Sequence, residues 1–336
     1  MNLSATLPKR ILVLDGAMGT LIQSYKLHEN DFRGEHFATH PLALKGCYDI
    51  LNITNPHIIR QIHNDYLVAG ADIISTNTFN AQSVSLSQYG LEKYAREINL
   101  EAAGIAKAAA GEYNKYDTAQ YRYVAGIIGP AHRMISQPPE GKKQEFKRLT
   151  FSDLINTYAE QADALIDGGV DLLIVETILD IINARAALSA IAGVFTKKGR
   201  SLPVIASLTL TEESGRLLSK LSPEDFLADV SPIPLLSIGF NCSPGVSVIK
   251  PHLERMATKA LCYVHYYPAA GLPDRQGIYQ ETPASMAAAM ETFMRQGLVN
   301  IVGGCCGTTP EYVTRLAKMA KNFQPRIPMP AQQTSR

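Results

Sequence analysis

The stretch GLVNIVGGCCGTTPE, residues 297–311, contains in a short space the structural unit that decides the fold. Gly297 follows a segment of helical period, in the position where glycines commonly end helices. The apolar run 298–302 that comes next is typical of a strand buried on both faces. Thr309-Pro310 then combines an N-cap residue with a proline at the first helical position, which marks the start of another helix. The stretch therefore predicts a helix end, a strand and a helix start in close succession.

The same alternation of strand and helix runs along almost the whole chain. Short, apolar and β-branched runs predict eight strands, at residues 11–15, 71–76, 123–128, 172–176, 204–208, 235–240, 261–265 and 300–302. Segments of helical period predict helices at residues 58–69, 94–113, 153–167, 181–195, 223–230, 246–258, 283–296 and 310–322. Joints of two or three residues, such as Ala69-Gly70-Ala71, connect helix to strand as they do in barrels of this kind. The pattern therefore predicts the α/β class and a (β/α)8 TIM barrel, with its active site at the C-terminal face of the strands.

An open, doubly wound sheet is the alternative arrangement for alternating strands and helices. Such sheets usually carry a Gly-rich phosphate fingerprint after the first strand, whereas the first turn here reads Asp15-Gly16-Ala17-Met18-Gly19-Thr20. The spacing of its glycines does not match G-x-G-x-x-G, so dinucleotide binding is rejected. The P-loop, HExxH and GxSxG motifs are also absent from the sequence.

Three segments stand outside the barrel pattern. Two long polar stretches, residues 22–57 and 129–151, follow predicted strands, so we expect both at the C-terminal face, as a substrate rim, a partner surface or solvated loops. The tail from Phe323 is rich in proline and polar residues and is predicted to be a linker or a disordered end. The predicted organisation is one barrel domain over residues 1–322 and a linker-like tail over residues 323–336.

Composition and charge narrow the class of function. The chain carries 32 basic and 31 acidic side chains, a net charge of +1, so it offers no electrostatic footprint for nucleic acid or an anionic membrane. Its apolar runs are all shorter than the roughly 18 residues of a membrane span, and the N-terminus lacks the apolar region of a signal peptide. We therefore expect a cytoplasmic globular protein with neither nucleic-acid nor membrane partners.

The five cysteines are Cys47, Cys242, Cys262, Cys305 and Cys306. Their small, odd number in a reducing compartment makes a disulfide framework unexpected. Cys305 and Cys306 stand side by side between glycines at a strand end, where the backbone can bend tightly around whatever the thiols hold. One interpretation is a pair of small buried hydrophobes. The other, which we favour for an adjacent pair in this setting, is a pair of metal ligands.

Topology supplies a third ligand, because side chains from different strand ends converge at one face of a barrel. Cys242 follows the sixth predicted strand, in a turn that reads Asn-Cys-Ser-Pro-Gly. Cys47 lies in the first long loop, and Cys262 lies at the start of the seventh strand, which is the opposite end of the barrel. The predicted metal ligands are therefore Cys242, Cys305 and Cys306.

Three thiolates with an open fourth position are typical of a catalytic zinc site rather than a structural one. Thiolates select zinc over magnesium or calcium, while residue type alone leaves copper(I) and iron–sulfur clusters open. A free thiol with a pKa near 8.5 is only slightly ionised at pH 7, and coordination to zinc deprotonates it. The predicted site is therefore suited to binding an incoming sulfur ligand and to alkyl transfer onto that sulfur.

Polar residues at other strand ends favour a small amino-acid substrate. Asp15 ends the first predicted strand and Glu176 ends the fourth. Each carboxylate is placed to pair with an ammonium group, the alternative being a solvated or helix-capping acid. The amides of residues 16–19 are placed to hold a carboxylate, as successive N–H groups hold anions. Asn77 and Thr78, after the second strand, would either orient loops or touch substrate.

The motifs that carry these residues resemble those of homocysteine S-methyltransferases, and most closely the N-terminal homocysteine-binding domain of cobalamin-dependent methionine synthase. They are LDGAMGT (14–20), DFRG (31–34), GADIISTNTF (70–79), VETI (175–178), FNCSPG (240–245) and GGCCGTTPE (303–311). GGCCG with an upstream Asn-Cys is highly specific, and together the motifs span almost the whole predicted barrel. The DFRG and STNTF forms favour the methionine synthase branch.

The resemblance implies that Cys242, Cys305 and Cys306 hold Zn2+ and that the sulfur of L-homocysteine takes the open position. One residue departs from the pattern. After the seventh strand this chain has Ala269, where the branch typically has an asparagine that looks like a weak oxygen ligand of the resting zinc. Water or another group would then complete the resting site.

The same resemblance implies a substrate site. Its residues, which would bind the amino group and the carboxylate of homocysteine, are Asp15, Gly16, Ala17, Met18 and Glu176. Three further residues at strand ends are candidates for supporting the zinc and substrate ligands from behind, namely Asn77, Thr78 and Asn241.

The implied reaction is zinc-dependent transfer of a methyl group to the homocysteine thiolate, giving L-methionine. The donor would be methylcobalamin on a separate domain or chain, with 5-methyltetrahydrofolate as the ultimate donor. Methionine synthases of this type continue into folate, cobalamin and activation modules, and the shorter chain here favours a split enzyme over an excised domain. Two alternatives stay open. One is a homocysteine S-methyltransferase that uses S-methylmethionine or another sulfonium or ammonium donor, and the other is a non-catalytic subunit that binds zinc and homocysteine.

Overall fold

The computed structural model describes residues 3–117, 120–132, 149–210, 217, 222–223, 226, 234–243, 246–274, 277 and 279–328. In this part of the chain eight strands alternate with helices. The strands are β1 (Leu12–Val13), β2 (Ile73–Ser75), β3 (Tyr123–Ile128), β4 (Leu172–Ile178), β5 (Val204–Leu208), β6 (Ser237–Asn241), β7 (Tyr263–Tyr267) and β8 (Ile301–Val302). They form a parallel sheet in the order β1-β8-β7-β6-β5-β4-β3-β2.

The two ends of this sheet, β1 and β2, meet and close it into a barrel. Leu14 and Ile73 form a parallel bridge between them, and the amide of Asp72 donates to the Val13 carbonyl at 2.7 Å. The carboxylate of Asp72 supports the same seam. It accepts hydrogen bonds from the Val13 amide at 2.9 Å and from both terminal nitrogens of Arg10 at 2.8 Å. The predicted (β/α)8 barrel is confirmed.

The helices surround the barrel. In the described residues they are α1 (Leu3–Thr6), α2 (Met18–Ser24), α3 (Glu29–Arg33), α4 (Leu51–Thr54), α5 (Pro56–Ala69), α6 (Ser83–Leu86), α7 (Ala95–Tyr116), α8 (Phe151–Asp167), α9 (Ile181–Lys198), α10 (Val246–Lys259), α11 (Pro283–Arg295) and α12 (Pro310–Ala320). The long helices α5 and α7 to α12 were all predicted, with ends that differ by no more than three residues. The helix predicted at 223–230 lies almost entirely outside the described residues.

Two apolar layers hold the barrel together. Inside it, buried side chains from most of the strands form one cluster, which includes Leu12, Leu14, Ile73, Ala125, Ile127, Leu172, Ile174, Ile205 and Ile301. The outer faces of the strands pack against the helices in a second cluster. Strand β6 contributes no side chain to the inner cluster. Its apolar residues, Ile238 and Phe240, belong to the outer cluster. Alternation along a strand then directs Ser237, Gly239 and Asn241 to the barrel interior, so the interior is polar beside β6.

The first part of the predicted tail packs against the N-terminal end of the barrel. Arg326 is 5% exposed, and its guanidinium donates to the carbonyls of Ala257, Ala260 and Cys262 at distances of 2.6 to 2.8 Å. The Asn300 side chain donates to the Arg326 carbonyl at 2.6 Å. Contacts with the barrel therefore continue beyond residue 322, and residues 329–336 lie outside the described part of the chain.

The two long loops differ in how much of each is described. Residues 22–57 contain α3, α4 and a 3-10 turn at Tyr48–Ile50. In the loop 129–151, residues 133–148 lie outside the described part. None of the described helices combines the length and the apolar character that a membrane span requires.

Candidate metal centre and substrate pocket

The three cysteines predicted as metal ligands lie together at the C-terminal mouth of the barrel. Cys242 follows β6, while Cys305 and Cys306 follow β8. Their Sγ atoms all lie within 4.8 Å of one another, and Cys242 Sγ is 3.3 Å from Cys306 Sγ. Cys242 and Cys305 are partly buried, and Cys306 is exposed. In the part of the chain that the structure describes, this is the one group of three His, Cys, Asp or Glu side chains with metal-binding spacing.

Two of these cysteines, Cys242 and Cys305, are joined by a disulfide in the structure. The small, odd number of cysteines predicts no disulfide framework, so this bond differs from the expectation. The number of cysteines does not reveal which of them the fold brings together. Here the barrel places the Cα atoms of Cys242 and Cys305 5.7 Å apart, a distance that suits a disulfide. Cys306 is a free thiol. Reduction by two electrons returns the pair to the thiol state, in which both can bind a metal.

The reduced donor set fits a zinc ion. Zinc–sulfur bonds of about 2.3 Å in a tetrahedron place the sulfur atoms about 3.8 Å apart. The 3.3 Å separation of Cys242 and Cys306, and the 4.8 Å limit for the whole group, lie on either side of that spacing. Three thiolates also favour zinc over the hard cations magnesium and calcium.

Close backbone packing fixes the two cysteine loops. The amide of Cys305 donates to the Pro268 carbonyl at 2.7 Å, which ties the loop after β8 to the loop after β7. Gly304 has no room for a side chain, because a Cβ there would lie 2.3 Å from Thr308 Oγ1. Cys242 adopts a left-handed backbone conformation with φ of +43°, at a cost on the order of 1 kcal/mol for a residue other than glycine. The cysteine positions are therefore set by the backbone as well as by rotamer choice.

Asn241, the last residue of β6, links the end of β4 to the cysteines. Its Oδ1 accepts hydrogen bonds from the Ser207 hydroxyl at 2.8 Å and from the Thr177 amide at 3.1 Å. Its Nδ2 donates to Thr177 Oγ1 at 2.9 Å and lies 3.8 Å from Cys305 Sγ. Thr177 has a φ of +55°, and the two hydrogen bonds with Asn241 stabilise that strained conformation.

Asp15 and Glu176 form a pair of carboxyl groups at the same mouth. Asp15 is 2% exposed and accepts hydrogen bonds from the amide and the hydroxyl of Ser75 at 2.7 and 2.8 Å. Burial raises the pKa of Asp15 to about 7 against the opposing effect of these bonds. Burial also raises the pKa of Glu176 to about 7, and the charge of Asp15 adds to that rise. A positively charged partner would favour the ionised state of both groups.

Glu176 connects the carboxyl pair to the cysteines. Burial raises the pKa of the Cys306 thiol, and the negative charge of Glu176 is the next cause. Glu176 Oε2 also accepts a hydrogen bond from the Tyr267 hydroxyl at 3.1 Å. Glu176 therefore lies close enough to Cys306 for their charges to interact.

Ser75 and Tyr267 are pocket residues that were not predicted. Both occupy the last position of a strand, β2 and β7 respectively. That position alone would have been a usable signal, because the same reasoning found Asp15 and Cys242.

The turn at residues 16–18 packs against the loop that carries the two adjacent cysteines. The amide of Ala17 donates to Thr308 Oγ1 at 3.3 Å. Gly16 is required there, since a Cβ would lie 2.8 Å from both Thr308 Oγ1 and the Tyr66 hydroxyl. Met18 begins α2, so the turn leads directly into the start of this helix.

Asn77 and Thr78 make buried contacts with neighbouring loops and strands. The Asn77 side chain donates to the Tyr48 carbonyl at 2.8 Å, and the Thr78 hydroxyl donates to the Ile127 carbonyl at 2.7 Å. These bonds hold the loop after β2 against the first long loop and against β3.

Fold and site together define a class of protein, a (β/α)8 barrel enzyme with a thiol-rich centre beside a pair of carboxyl groups. A family model described as homocysteine S-methyltransferase matches residues 12–320. The chain belongs to the homocysteine S-methyltransferase family and is a methyltransferase.

Solved structures of the homocysteine methyltransferase MmuM from Escherichia coli are similar to this barrel. The metallated form is 22% identical with a TM-score of 0.72, and the match covers 94% of this chain and 98% of that chain. The oxidised form is 22% identical with a TM-score of 0.68, and the match covers 92% and 95%. The apo form is 21% identical with a TM-score of 0.66, and the match covers 94% and 98%. At this level of identity the likeness supports the fold.

Proposed function

We propose that this protein transfers a methyl group to the thiolate of L-homocysteine, bound to zinc, and so forms L-methionine. The observation that carries the proposal is the convergence of three cysteine Sγ atoms within 4.8 Å of one another, beside the carboxyl groups of Asp15, which is buried, and Glu176, which is partly buried. The thiols suit a metal that accepts one more sulfur, and the carboxyl groups suit an ammonium ion. Homocysteine carries both a thiol and an ammonium group, and it is the acceptor of the family to which the chain belongs.

Zinc would be held by Cys242, Cys305 and Cys306 in their reduced state. When bound, it lowers the pKa of a thiol that takes its fourth position, so that a large fraction of that thiol is ionised at neutral pH. Ala269 carries no ligand atom, so its side chain does not compete with the substrate for that position.

The chain's own residues would orient the amino-acid end of homocysteine. Asp15 and Glu176 would bind the ammonium group, and this contact lowers their raised pKa values again. The amides of Gly16, Ala17 and Met18 would bind the carboxylate, with the Ala17 amide shared with Thr308 Oγ1. Contacts with both the ammonium and the carboxylate group would fix the orientation of homocysteine, so that its sulfur lies beside the three cysteines.

For the methyl donor we infer methylcobalamin on a separate domain or chain, with 5-methyltetrahydrofolate as the ultimate donor. The support is the form of the motifs DFRG (31–34) and STNTF (75–79). The alternative is a small donor such as S-methylmethionine, which would use the same acceptor site.

A donor assay separates these two donors. Reduced, zinc-loaded protein is mixed with homocysteine and either methylcobalamin or S-methylmethionine, and methionine is quantified against a protein-free blank. We expect methionine with methylcobalamin. Methionine with S-methylmethionine alone would replace the inferred donor, and no methionine above the blank in either reaction would contradict both donors.

Metal analysis tests the site itself. We expect reduced wild-type protein to hold a single zinc ion per chain and each of Cys242→Ser, Cys305→Ser and Cys306→Ser to lose most of it. Cys262→Ser is the matched control, since Cys262 lies at the opposite end of the barrel, next to Arg326. Full zinc content together with full activity in Cys306→Ser would contradict the three-cysteine site.

A further inference from the structure

The turn after β1 and the loop after β8 form one hydrogen-bonded unit. The two strands pair in the barrel, and the contact between their chains continues past the strand ends. The Gly304 amide donates to the Asp15 carbonyl at 3.0 Å, and the Gly307 amide donates to Thr20 Oγ1 at 3.0 Å. The turn carries part of the proposed homocysteine site, and the loop carries two of the proposed zinc ligands. A change in the order of one is therefore felt by the other.

Thr308 links the turn and the loop with its side chain. The residue is fully buried and lies against two glycines. A Cβ on Gly16 would lie 2.8 Å from Thr308 Oγ1, and a Cβ on Gly304 would lie 2.3 Å from the same atom. The Tyr66 hydroxyl, on α5, donates to the Thr308 carbonyl at 3.2 Å. Because Thr308 is confined in this way, its hydroxyl keeps one position between the turn and the loop.

The hydroxyl of Thr308 makes one hydrogen bond in each direction. It donates to the Cys305 carbonyl at 2.7 Å and accepts from the Ala17 amide at 3.3 Å. A hydroxyl has a single proton, and the short bond directs that proton to Cys305, so a lone pair faces Ala17. The bond from Ala17 is longer than the usual N–H···O range, which leaves this amide able to share its proton with a carboxylate. One oxygen atom thus joins the backbone of a cysteine to an amide of the proposed carboxylate site.

This link predicts that the two halves of the proposed site stabilise each other. When the three cysteines hold zinc, the loop after β8 has less freedom to move, and Thr308 passes that restriction to the Ala17 amide. A binding site whose groups are already held in place loses less conformational freedom when its ligand arrives. Affinity for the amino-acid end of the substrate should therefore rise when zinc is bound. By linkage, affinity for zinc rises by the same factor when the amino acid is bound.

We propose that Thr308 is a positioning residue whose hydroxyl couples the zinc site to the carboxylate site, so that zinc strengthens binding of the amino-acid end of homocysteine without any bond to sulfur. This inference rests on the proposed function. It differs from a packing role, because a packing role needs the volume of the Thr308 side chain and not its hydroxyl.

The test uses L-norvaline, in which a methyl group replaces the thiol of homocysteine. Calorimetric titration measures its affinity for reduced protein with and without zinc. We expect zinc to tighten norvaline binding about three- to tenfold in the wild type, which is the range that a single hydrogen bond supplies. Thr308→Ser keeps the hydroxyl and should keep this factor. Thr308→Ala differs from Thr308→Ser by the hydroxyl alone and should bind norvaline almost equally with and without zinc.

Thr20→Ala is the matched control, because Thr20 Oγ1 joins the same turn and loop through the Gly307 amide. It should keep the wild-type factor. Zinc content, the thermal midpoint and homocysteine affinity are measured for all four proteins. The affinity for zinc, measured by competition with a chelating indicator, should rise by the same factor when wild-type protein is saturated with norvaline.

Four outcomes would overturn the inference and leave the proposed function standing. One is a zinc-loaded wild type that binds homocysteine but binds norvaline equally with and without zinc, or not at all. This result is decisive even if Thr308→Ala does not fold. The others are the full wild-type factor in Thr308→Ala, loss of the factor in Thr308→Ser, and an equal loss in Thr20→Ala, which would show general loosening of the turn and loop. A reduced wild type that holds no zinc or binds no homocysteine would overturn both proposals.

Discussion

The hydroxyl of Tyr267 donates a hydrogen bond to Glu176 Oε2 across 3.1 Å and joins the end of β7 to the end of β4 at the barrel mouth. Tyr267 is 2% exposed, and its ring stacks on His265 with centroids 5.5 Å apart. The bond stabilises the ionised form of Glu176 and so opposes the rise in its pKa that burial causes. Tyr267 therefore helps to keep Glu176 available for a cationic group.

We expect Tyr267→Phe to weaken homocysteine binding by several-fold near pH 7 and by less near pH 8. Without the bond the pKa of Glu176 rises further, so a larger fraction is protonated at neutral pH. The lost hydrogen bond should lower the free energy of unfolding by about 1 kcal/mol. Calorimetric titration with homocysteine and urea denaturation measure the two effects. Equal weakening at both pH values would show that Tyr267 contributes packing only.

The raised pKa values of Asp15 and Glu176 predict that the protein loses stability as the pH rises. Both values are about 7 in the folded state, well above those of an unfolded chain. The folded state thus binds more protons between about pH 4 and pH 7. The stabilising contribution of the two groups is complete below about pH 4 and is lost as the pH rises through about 7, by an amount on the order of a few kcal/mol.

Asp15→Asn and Glu176→Gln should therefore flatten the pH dependence of stability and raise stability near pH 8. Each should also weaken homocysteine binding about tenfold. Asp49→Asn is the control. Asp49 lies in the first long loop, and burial raises its pKa to about 7 as well. Its carboxylate accepts a hydrogen bond from the Asn80 amide at 2.9 Å. It should show the change in stability without the change in homocysteine affinity. Urea denaturation at several pH values, with binding measured in parallel, makes the comparison.

Replacing Asn241 should lower the free energy of unfolding by more than one hydrogen bond, because its Oδ1 accepts from two donors. In Asn241→Leu the Thr177 amide and the Ser207 hydroxyl lose their acceptor in a buried setting, at about 1–3 kcal/mol for each group. Thr209→Val is the milder control, because the Thr209 hydroxyl donates to the Asn241 carbonyl at 3.0 Å and its loss leaves the Thr177 contacts intact. We expect about 2–5 kcal/mol for Asn241→Leu and about 1 kcal/mol for Thr209→Val in urea denaturation. Comparable losses in the two variants would contradict the bridging role of Asn241.

Gly239, in the middle of β6, should tolerate no side chain. A Cβ there would lie 1.9 Å from the His265 carbonyl oxygen, which belongs to the backbone of the adjacent strand. We expect Gly239→Ala to be insoluble or to lose more than about 3 kcal/mol. Gly193→Ala is the opposite case. Gly193 lies inside α9 with nothing within 4 Å of its Cβ position, so alanine should stabilise the helix by up to about 1 kcal/mol. Expression yield and thermal melting of the two variants test the pair.

Much of the barrel could be predicted because strands buried on both faces leave a simple apolar record in the sequence. The ranges for β3 and β5 match the structure residue for residue. The prediction for β7 was displaced by two residues. Leu261 was counted into the strand but lies 61% exposed in the turn before it, while Tyr266 and Tyr267 were left out because the apolar run ends before them.

The candidate site was predictable only where a functional side chain occupies a strand end. Asp15, Glu176 and the cysteines lie close to the ends of their strands, and the topology alone brings strand ends to one face. Thr308 does not lie at a strand end. Its hydroxyl reaches the Ala17 amide because the loop after β8 packs on the turn after β1, and that loop has no sequence period. A contact of that kind is a property of the folded chain, so sequence reasoning has no pattern from which to read it.

The segment after α12 supplies the last prediction, which concerns the predicted boundary at residue 322. The guanidinium of Arg326 satisfies three carbonyl groups at the end of α10 and the start of β7, and the Arg326 amide donates to the Val299 carbonyl at 3.2 Å. Truncation after residue 322 removes all of these bonds, whereas truncation after residue 328 keeps them. We expect the shorter protein to lose about 2–5 kcal/mol of stability, because buried carbonyl groups are left without donors, and the longer one to melt like the full chain.

Arg326→Lys distinguishes the side chain of Arg326 from the rest of the segment. An ammonium group presents its donors from one point and cannot reach three carbonyl groups in the geometry of the guanidinium fork. We expect this variant to lose about half of the stability lost on truncation after residue 322, since its backbone bonds with Val299 and Asn300 remain. If truncation after residue 322 left the melting temperature unchanged, the barrel domain would end where the sequence predicts, and the contacts of Arg326 would contribute little to its stability.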